Sequence, residues 1–199
     1  MTEQSKQKTT DWNNAVRRHE LVDVSEIKMS YLISELSKAV EDLDRRLSFV
    51  EKLGDFFDKL ESGELDALTR LVSSEYRKNA VYQQLMNHSN WYRIDAHIDH
   101  IYLTQTNEKE KNALNALVPP RNLGSLVKKI EVTNPEELKT EGLEDFLCKG
   151  DLTKELPIAI YRNESEDSKI ELIDGMHRTP SLFIGNEQKY LTLYIGRNN

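Results

Sequence analysis

Three observations predict an α+β fold class, an N-terminal helical hairpin or bundle followed by a small mixed α/β domain. Apolar residues between positions 25 and 118 recur every three or four residues, the period of an amphipathic helix. Beyond position 119, short apolar runs alternate with polar turns and glycines. Between the halves stand two adjacent prolines, Pro119-Pro120, which end helices. The expected division is 1–24 as a partly ordered N-terminal segment, 25–118 as a helical dimerisation or partner-binding module, and 119–199 as the small domain.

Within the first half, Leu36, Val40, Leu43, Leu47, Val50, Phe57 and Leu60 step by fours and threes, with one position skipped at Gly54. This predicts a helix of roughly 35 residues, capped by Ser25, bent near Gly54 and broken at Glu61-Ser62-Gly63. Phe49, Leu53 and Phe56 lie beyond its single stripe, so it has more apolar surface than one neighbour covers. A second helix is expected from Glu64 to Asn87, with Leu65, Leu68, Val72, Tyr76, Asn79 and Tyr82 sharing a face with Leu85 and Met86. After a turn at His88-Ser89-Asn90, a third helix is read through Ile94, Ile98, Ile101 and Leu103, with Trp91-Tyr92-Arg93 capping the bundle. Leu114, Leu117 and Val118 suggest a last turn before the prolines. Short turns between such helices favour an antiparallel bundle.

Composition bounds the function classes. The net charge is -7, and 16 basic against 20 acidic side chains in residues 1–118 leave 11 against 14 in residues 119–199. Neither half is basic, so a broad nucleic-acid surface is not expected, although one local pocket can still take a phosphate. A single cysteine, Cys148, excludes an internal disulfide and fits a reducing compartment, so a cytoplasmic location is expected. No apolar run approaches the length of a membrane helix, and the polar start lacks the apolar stretch of a signal peptide.

The most informative stretch is Leu172-Ile173-Asp174-Gly175-Met176-His177-Arg178. It follows the apolar run Pro157–Tyr161 and the polar turn Arg162–Lys169, and precedes a short segment, Thr179–Ile184, closed by Gly185-Asn186. That order reads as strand, hairpin, strand, glycine turn, short helix. A glycine turn feeding a helix presents unpaired N–H groups and a positive dipole end, which suit an anion. In this reading the backbone from Gly175 through Met176 to Arg178 wraps a phosphate, Arg178 clamps it with its donor fork, and His177 donates to or orients an oxygen. Thr179 and Ser181 add hydroxyls, while Asp174 binds a ribose hydroxyl, assists a metal or holds the turn. The competing reading is a plain strand-ending turn, since Asp-Gly is common where the backbone needs positive φ.

The residues Asp174-Gly175-Met176-His177-Arg178 resemble the signature of the ParB/sulfiredoxin-like fold, in which Gly, any residue, then His-Arg or Arg-Arg opens a short helix. The resemblance covers roughly 123–199. It implies a first strand at Val127–Val132, a short helical part at Asn134–Cys148, the proline-led strand at Pro157–Tyr161 and a closing strand at Tyr190–Ile195. It implies nucleotide binding with a nucleoside triphosphate, ATP or CTP, as ligand and Mg2+ as its companion. The catalytic candidates are Asp174, His177 and Arg178. Sulfiredoxins carry a catalytic cysteine where this chain has Met176, so sulfinic acid reduction is not expected. ParB proteins continue into a helical DNA-binding region, whereas 21 residues follow Arg178 here. A free serine kinase branch uses a further upstream acid, for which Glu141 and Glu144 lie in the right region.

Other features carry less. His97 and His100, three apart, share one side of the predicted third helix, with His88 as a further ligand candidate, yet they lack the His-Glu-x-x-His pattern, and no metal site is assigned. Cys148 has no activating partner in sequence. Lys128-Lys129 with Arg121 form a modest basic group, and Arg197 would approach the pocket if its strand lay beside the motif strand. The expected function is nucleotide or phosphate-ligand binding, with hydrolysis or phosphoryl transfer as the accompanying reaction. The alternatives are a DNA-binding partition, regulatory or nuclease-like protein and a noncatalytic interaction module that dimerises or meets a protein partner through the helical half.

Overall fold

The computed structural model describes residues 15–37, 43–73, 76–104, 114–115, 117, 122–147, 156–164 and 167–197. Strand β1 (Val16–Val22) is followed by helices α1 (Val24–Ser37), α2 (Leu43–Phe57), α3 (Ser62–Val72) and α4 (Tyr76–Asn87). Strand β2 (Asn90–His97), a 3-10 turn (Ile98–His100) and strand β3 (Ile101–Leu103) come next. Helices α5 (Leu123–Val132) and α6 (Pro135–Thr140) and a 3-10 turn (Leu143–Phe146) lead to strands β4 (Ile158–Glu164) and β5 (Asp167–Asp174). A last 3-10 turn (Pro180–Leu182) precedes β6 (Tyr190–Arg197).

The six strands form one mixed sheet in the order β1-β2-β6-β4-β5-β3. Neighbours β1/β2, β2/β6 and β4/β5 are antiparallel, whereas β4/β6 and β3/β5 are parallel. Successive side chains on a strand point to opposite faces, and the two cores follow that alternation. Ile94 and Ala96 of β2, Ile170 and Leu172 of β5, and Leu191, Leu193 and Ile195 of β6 pack with α5 in the main core. Trp91 and Tyr194, on the other face, pack with Ile158, with Ile27 and Tyr31 of α1 and with Leu85 of α4. The sheet is thus sandwiched, with α5 on one side and α1 with α4 on the other.

Helix α1 is buried on two sides. Its Ile27 and Tyr31 meet the sheet, while Leu32, Met29, Ile33 and Leu36 join Phe57 of α2 and Leu65 of α3 in a third core. An ion pair between buried Lys28 and Asp66, and a 3.1 Å hydrogen bond between the Tyr31 and Ser73 hydroxyls, fix α1 against α3. Asp23 rather than Ser25 caps α1. Its carboxylate accepts from the Ser25 N–H at 2.8 Å and from the Ser25 hydroxyl at 2.6 Å, and these bonds hold the Asp23 carboxyl below its ordinary value.

Several expectations are corrected. The α/β character holds, but the helical half is not all helical. The segment read as a third helix is β2, a 3-10 turn and β3, because its aromatic and β-branched residues pair with β6 and β5. Trp91 is buried as expected, on a strand and not a bundle cap. The sheet draws strands from both sides of the expected 118/119 boundary, and β1 falls in the segment assigned to a partly ordered N-terminus. Glu64–Asn87 is not one helix but parts of α3 and α4, and the long first helix is divided into α1 and α2. Val127–Val132 is not a strand. Leu123, Leu126, Val127 and Ile130 are buried at spacings of three, one and three along α5, and the Asn122 carboxamide accepts from the Ser125 N–H at 2.8 Å to cap it. The helical part after Asn134, the strand after Pro157, the motif strand and the closing strand are observed as α6 with its 3-10 turn, β4, β5 and β6. Cys148, Arg121, Pro119 and Pro120 lie outside the described residues.

Candidate functional site

Strand β5 delivers the motif. Asp174 pairs with Ile158 at the start of β4, and Gly175 then turns the chain at φ +87°. A Cβ on Gly175 would lie 3.0 Å from Pro157 Cβ, 3.3 Å from Pro157 Cα and 3.1 Å from Arg178 Nε. Glycine is therefore required twice, by conformation and by space. The turn closes where the Thr179 N–H and hydroxyl both donate to the Gly175 carbonyl, at 3.0 and 2.6 Å.

The expected helix Thr179–Ile184 is instead a run of turns around the three-residue 3-10 segment Pro180–Leu182. Pro180 supplies no N–H, and the Leu182 and Phe183 N–H groups donate back to Thr179 and Pro180. The expected helix dipole is consequently missing from this turn. The hydroxyls read as phosphate ligands are also committed. Thr179 is fully buried with its hydroxyl on Gly175, and the Ser181 hydroxyl donates to the Arg178 carbonyl at 2.7 Å. Met176 anchors the turn in the main core with Phe183.

The remaining motif side chains are polar groups with chemistry to offer. His177 stacks on the buried ring of Phe146, centroids 5.1 Å apart and planes 9° off parallel. Arg178 folds back over the glycine, and its guanidinium donates to the Asp174 carboxylate at 3.3 Å and to the Ser34 hydroxyl of α1 at 2.8 Å. The Arg178 and Asp174 side chains are 11% and 15% exposed, so this ion pair is largely desolvated. Ser34, 2% exposed, was not singled out from the sequence; a serine within a helix carries no signal that it will meet an arginine 144 positions on.

Other sequence candidates lie apart. Arg197 belongs to β6, which lies between β2 and β4 and not beside β5, and its guanidinium carbon sits 5.0 Å from the Tyr161 ring centroid. Lys129 pairs with Glu141 at 3.0 Å and Lys128 with Asp99 at 4.0 Å. His97 and His100 are not on one helix; their rings lie 6.0 Å apart at the end of β2, and His88 packs against Trp91. Burial lowers the His97 pKa, an effect that Asp99 opposes. Among the described residues no group of three or more His, Cys, Asp or Glu could hold a metal ion.

A second polar cluster joins α1 to the sheet. Tyr194 donates to Glu26 at 2.6 Å, and Arg93 forms an ion pair with the same carboxylate. Burial and the bond to Glu26 push the Tyr194 phenol up to about 12. Comparison of the chain with protein-family models, with curated proteins and with solved structures finds no match.

Proposed function

We propose that the turn Asp174–Ser181 binds a phosphate-bearing ligand, with a nucleoside triphosphate such as ATP or CTP as the leading class. The observation that carries this reading is the place of the Arg178 guanidinium. It lies over the Cβ-free face of Gly175, mostly withdrawn from water, with the Asp174 carboxylate and the Ser34 hydroxyl among its partners. A terminal phosphate offers the same fork more negative charge than the Asp174 carboxylate, with its three acceptor oxygens on one group. His177, ring-stacked on Phe146 in the same turn, is the second group that could donate to it. The Asp-Gly-x-His-Arg resemblance to ParB/sulfiredoxin-like proteins supports the same ligand class.

In this reading the motif divides its labour. Gly175, Met176, Thr179 and Ser181 build the turn, while His177 and Arg178 meet the ligand. Asp174, released as Arg178 turns to the phosphate, becomes a lone carboxylate at the site. Mg2+ commonly takes one or two carboxylates together with substrate phosphates, so Asp174 fits as its protein ligand. Hydrolysis or phosphoryl transfer would require, in addition, a positioned nucleophile.

The test is calorimetric titration of ATP, ADP, CTP and GTP, with and without Mg2+, into wild type and Arg178→Ala. Loss of the clamp should cost about 1–3 kcal/mol of binding. His177→Ala serves as the second variant should Arg178→Ala unfold. A folded wild type that binds none of the four nucleotides sinks the reading. The noncatalytic interaction module would then stand, favoured by the internal engagement of Arg178 with Asp174 and Ser34. The DNA-binding alternative is the least supported, given a net charge of -7.

A further inference from the structure

We propose that Arg178 is a latch on α1: Ser34 holds the guanidinium as an internal competitor of the ligand, and occupancy of the turn releases the C-terminal half of α1. The proposal rests on the phosphate-binding reading and adds its regulation. Its basis is a hydrogen bond of 2.8 Å between groups 144 residues apart, with Ser34 buried and Arg178 nearly so. A phosphate that docks bidentately on the Nη1–Nη2 edge of the fork competes with Ser34 for Nη1 and with Asp174 for Nη2.

Helix α1 is placed to carry the consequence. On one side Ile27 and Tyr31 bind it to the sheet, and on the other Leu32 packs with Phe57 and Leu65 of α2 and α3. Ser34 lies one turn beyond Tyr31, whose hydroxyl meets Ser73 at the end of α3. The bond displaced by docking on that edge is thus a bond that holds the helical layer to the motif. Linkage makes the effect reciprocal. Whatever Ser34 contributes to holding α1 is subtracted from ligand affinity, and whatever ligand binding contributes is subtracted from the hold on α1.

Two variants and two readouts test this. Ser34→Ala removes the competitor with a residue that favours helix, and should tighten ATP binding on the order of tenfold, the worth of a hydrogen bond to a charged group. Hydrogen exchange of the amides of residues 31–37 should speed up when ATP binds wild type, and should change little on ATP binding to Ser34→Ala. Arg178→Ala should speed the same amides with no ATP present. Wild type that binds ATP with the same affinity as Ser34→Ala overturns the latch and leaves the phosphate reading intact. Unchanged exchange in Arg178→Ala overturns it independently of any ligand. Binding of none of the four nucleotides by folded wild type overturns both readings.

Discussion

Two glycines separate the conformational demand of the motif turn from its spatial demand. Gly175 and Gly185 both sit at positive φ, +87° and +69°. A Cβ at Gly185 meets nothing within 4 Å, so Gly185→Ala measures the left-handed strain, less the entropy gained by stiffening the unfolded chain, about 1 kcal/mol. At Gly175 the same strain is joined by contacts at 3.0 and 3.3 Å with Pro157 and at 3.1 Å with Arg178 Nε. Pro157 is poorly placed to retreat, because its carbonyl accepts the Tyr194 N–H at 2.9 Å. Arg178 can withdraw only by loosening its bonds to Asp174 and Ser34. Overpacking of this kind costs about 1–3 kcal/mol, so Gly175→Ala should lose about 2–4 kcal/mol in all. Urea denaturation followed by circular dichroism gives both numbers by linear extrapolation. Equal losses in the two variants would refute the reasoning, since they would mean that Pro157 and Arg178 yield freely and do not define the turn.

The other predictions concern the frame around the site. Tyr194→Phe deletes the hydroxyl that donates to Glu26 at 2.6 Å and should cost about 1–2 kcal/mol at neutral pH. The Tyr194 phenol is raised in the folded state to about 12, so its contribution is complete below the unfolded value near 10 and disappears as pH climbs from there to about 12. A wild-type advantage over the phenylalanine variant that persists unchanged to pH 12 would contradict this. Burial depresses the His97 pKa, so the unfolded chain binds its proton first and stability should fall as pH drops below about 6.5. His97→Gln should flatten the urea midpoint between pH 7.5 and 5, leaving a residual slope from His19, whose pKa burial also lowers. Asn122→Ala removes the α5 cap and the 2.6 Å bond to the Asp99 carbonyl, and should cost about 1–3 kcal/mol by urea denaturation, against a null expectation near zero for a surface substitution.

How far the sequence disclosed the fold depended on which periods compete locally. Pro157–Tyr161 is a continuous apolar run and Tyr190–Ile195 is apolar but for Thr192, and they lead into β4 and β6. Ile94, Ile98 and Ile101 fall at four and three, a helical spacing, yet Ile94, Ala96 and Ile98 also alternate, and the alternation was masked because Ala96 is small. The Trp-Tyr-Arg-Ile start of β2 was the better signal, since aromatic and β-branched residues favour strands. In α5 the two periods compete in the opposite sense. Val127, Ile130 and Val132 suggest a strand, while Asn122 and the buried Leu123, Leu126, Val127 and Ile130 specify a capped helix. Nothing local encodes the insertion of β6 between β2 and β4, because that order is a property of pairings across the whole chain.

The candidate site was legible in its position and not in its wiring. Asp174-Gly175 announced a strand end with positive φ, and both are observed. The sequence of side chains that follows suggests convergence on one anion only if each polar group is available. In the folded chain a polar group near the core must first satisfy itself. Thr179 and Ser181 do so on backbone carbonyls of their own turn, which removes their protons from any ligand. Arg178 satisfies itself with a carboxylate and a hydroxyl, partners that a better acceptor can displace. A hydroxyl spent on its own turn is architecture, whereas a guanidinium held by exchangeable oxygens can do both. In the proposed function, the exchange energy at Arg178, set by Ser34 on one side and the ligand on the other, is therefore the quantity that decides whether this turn binds.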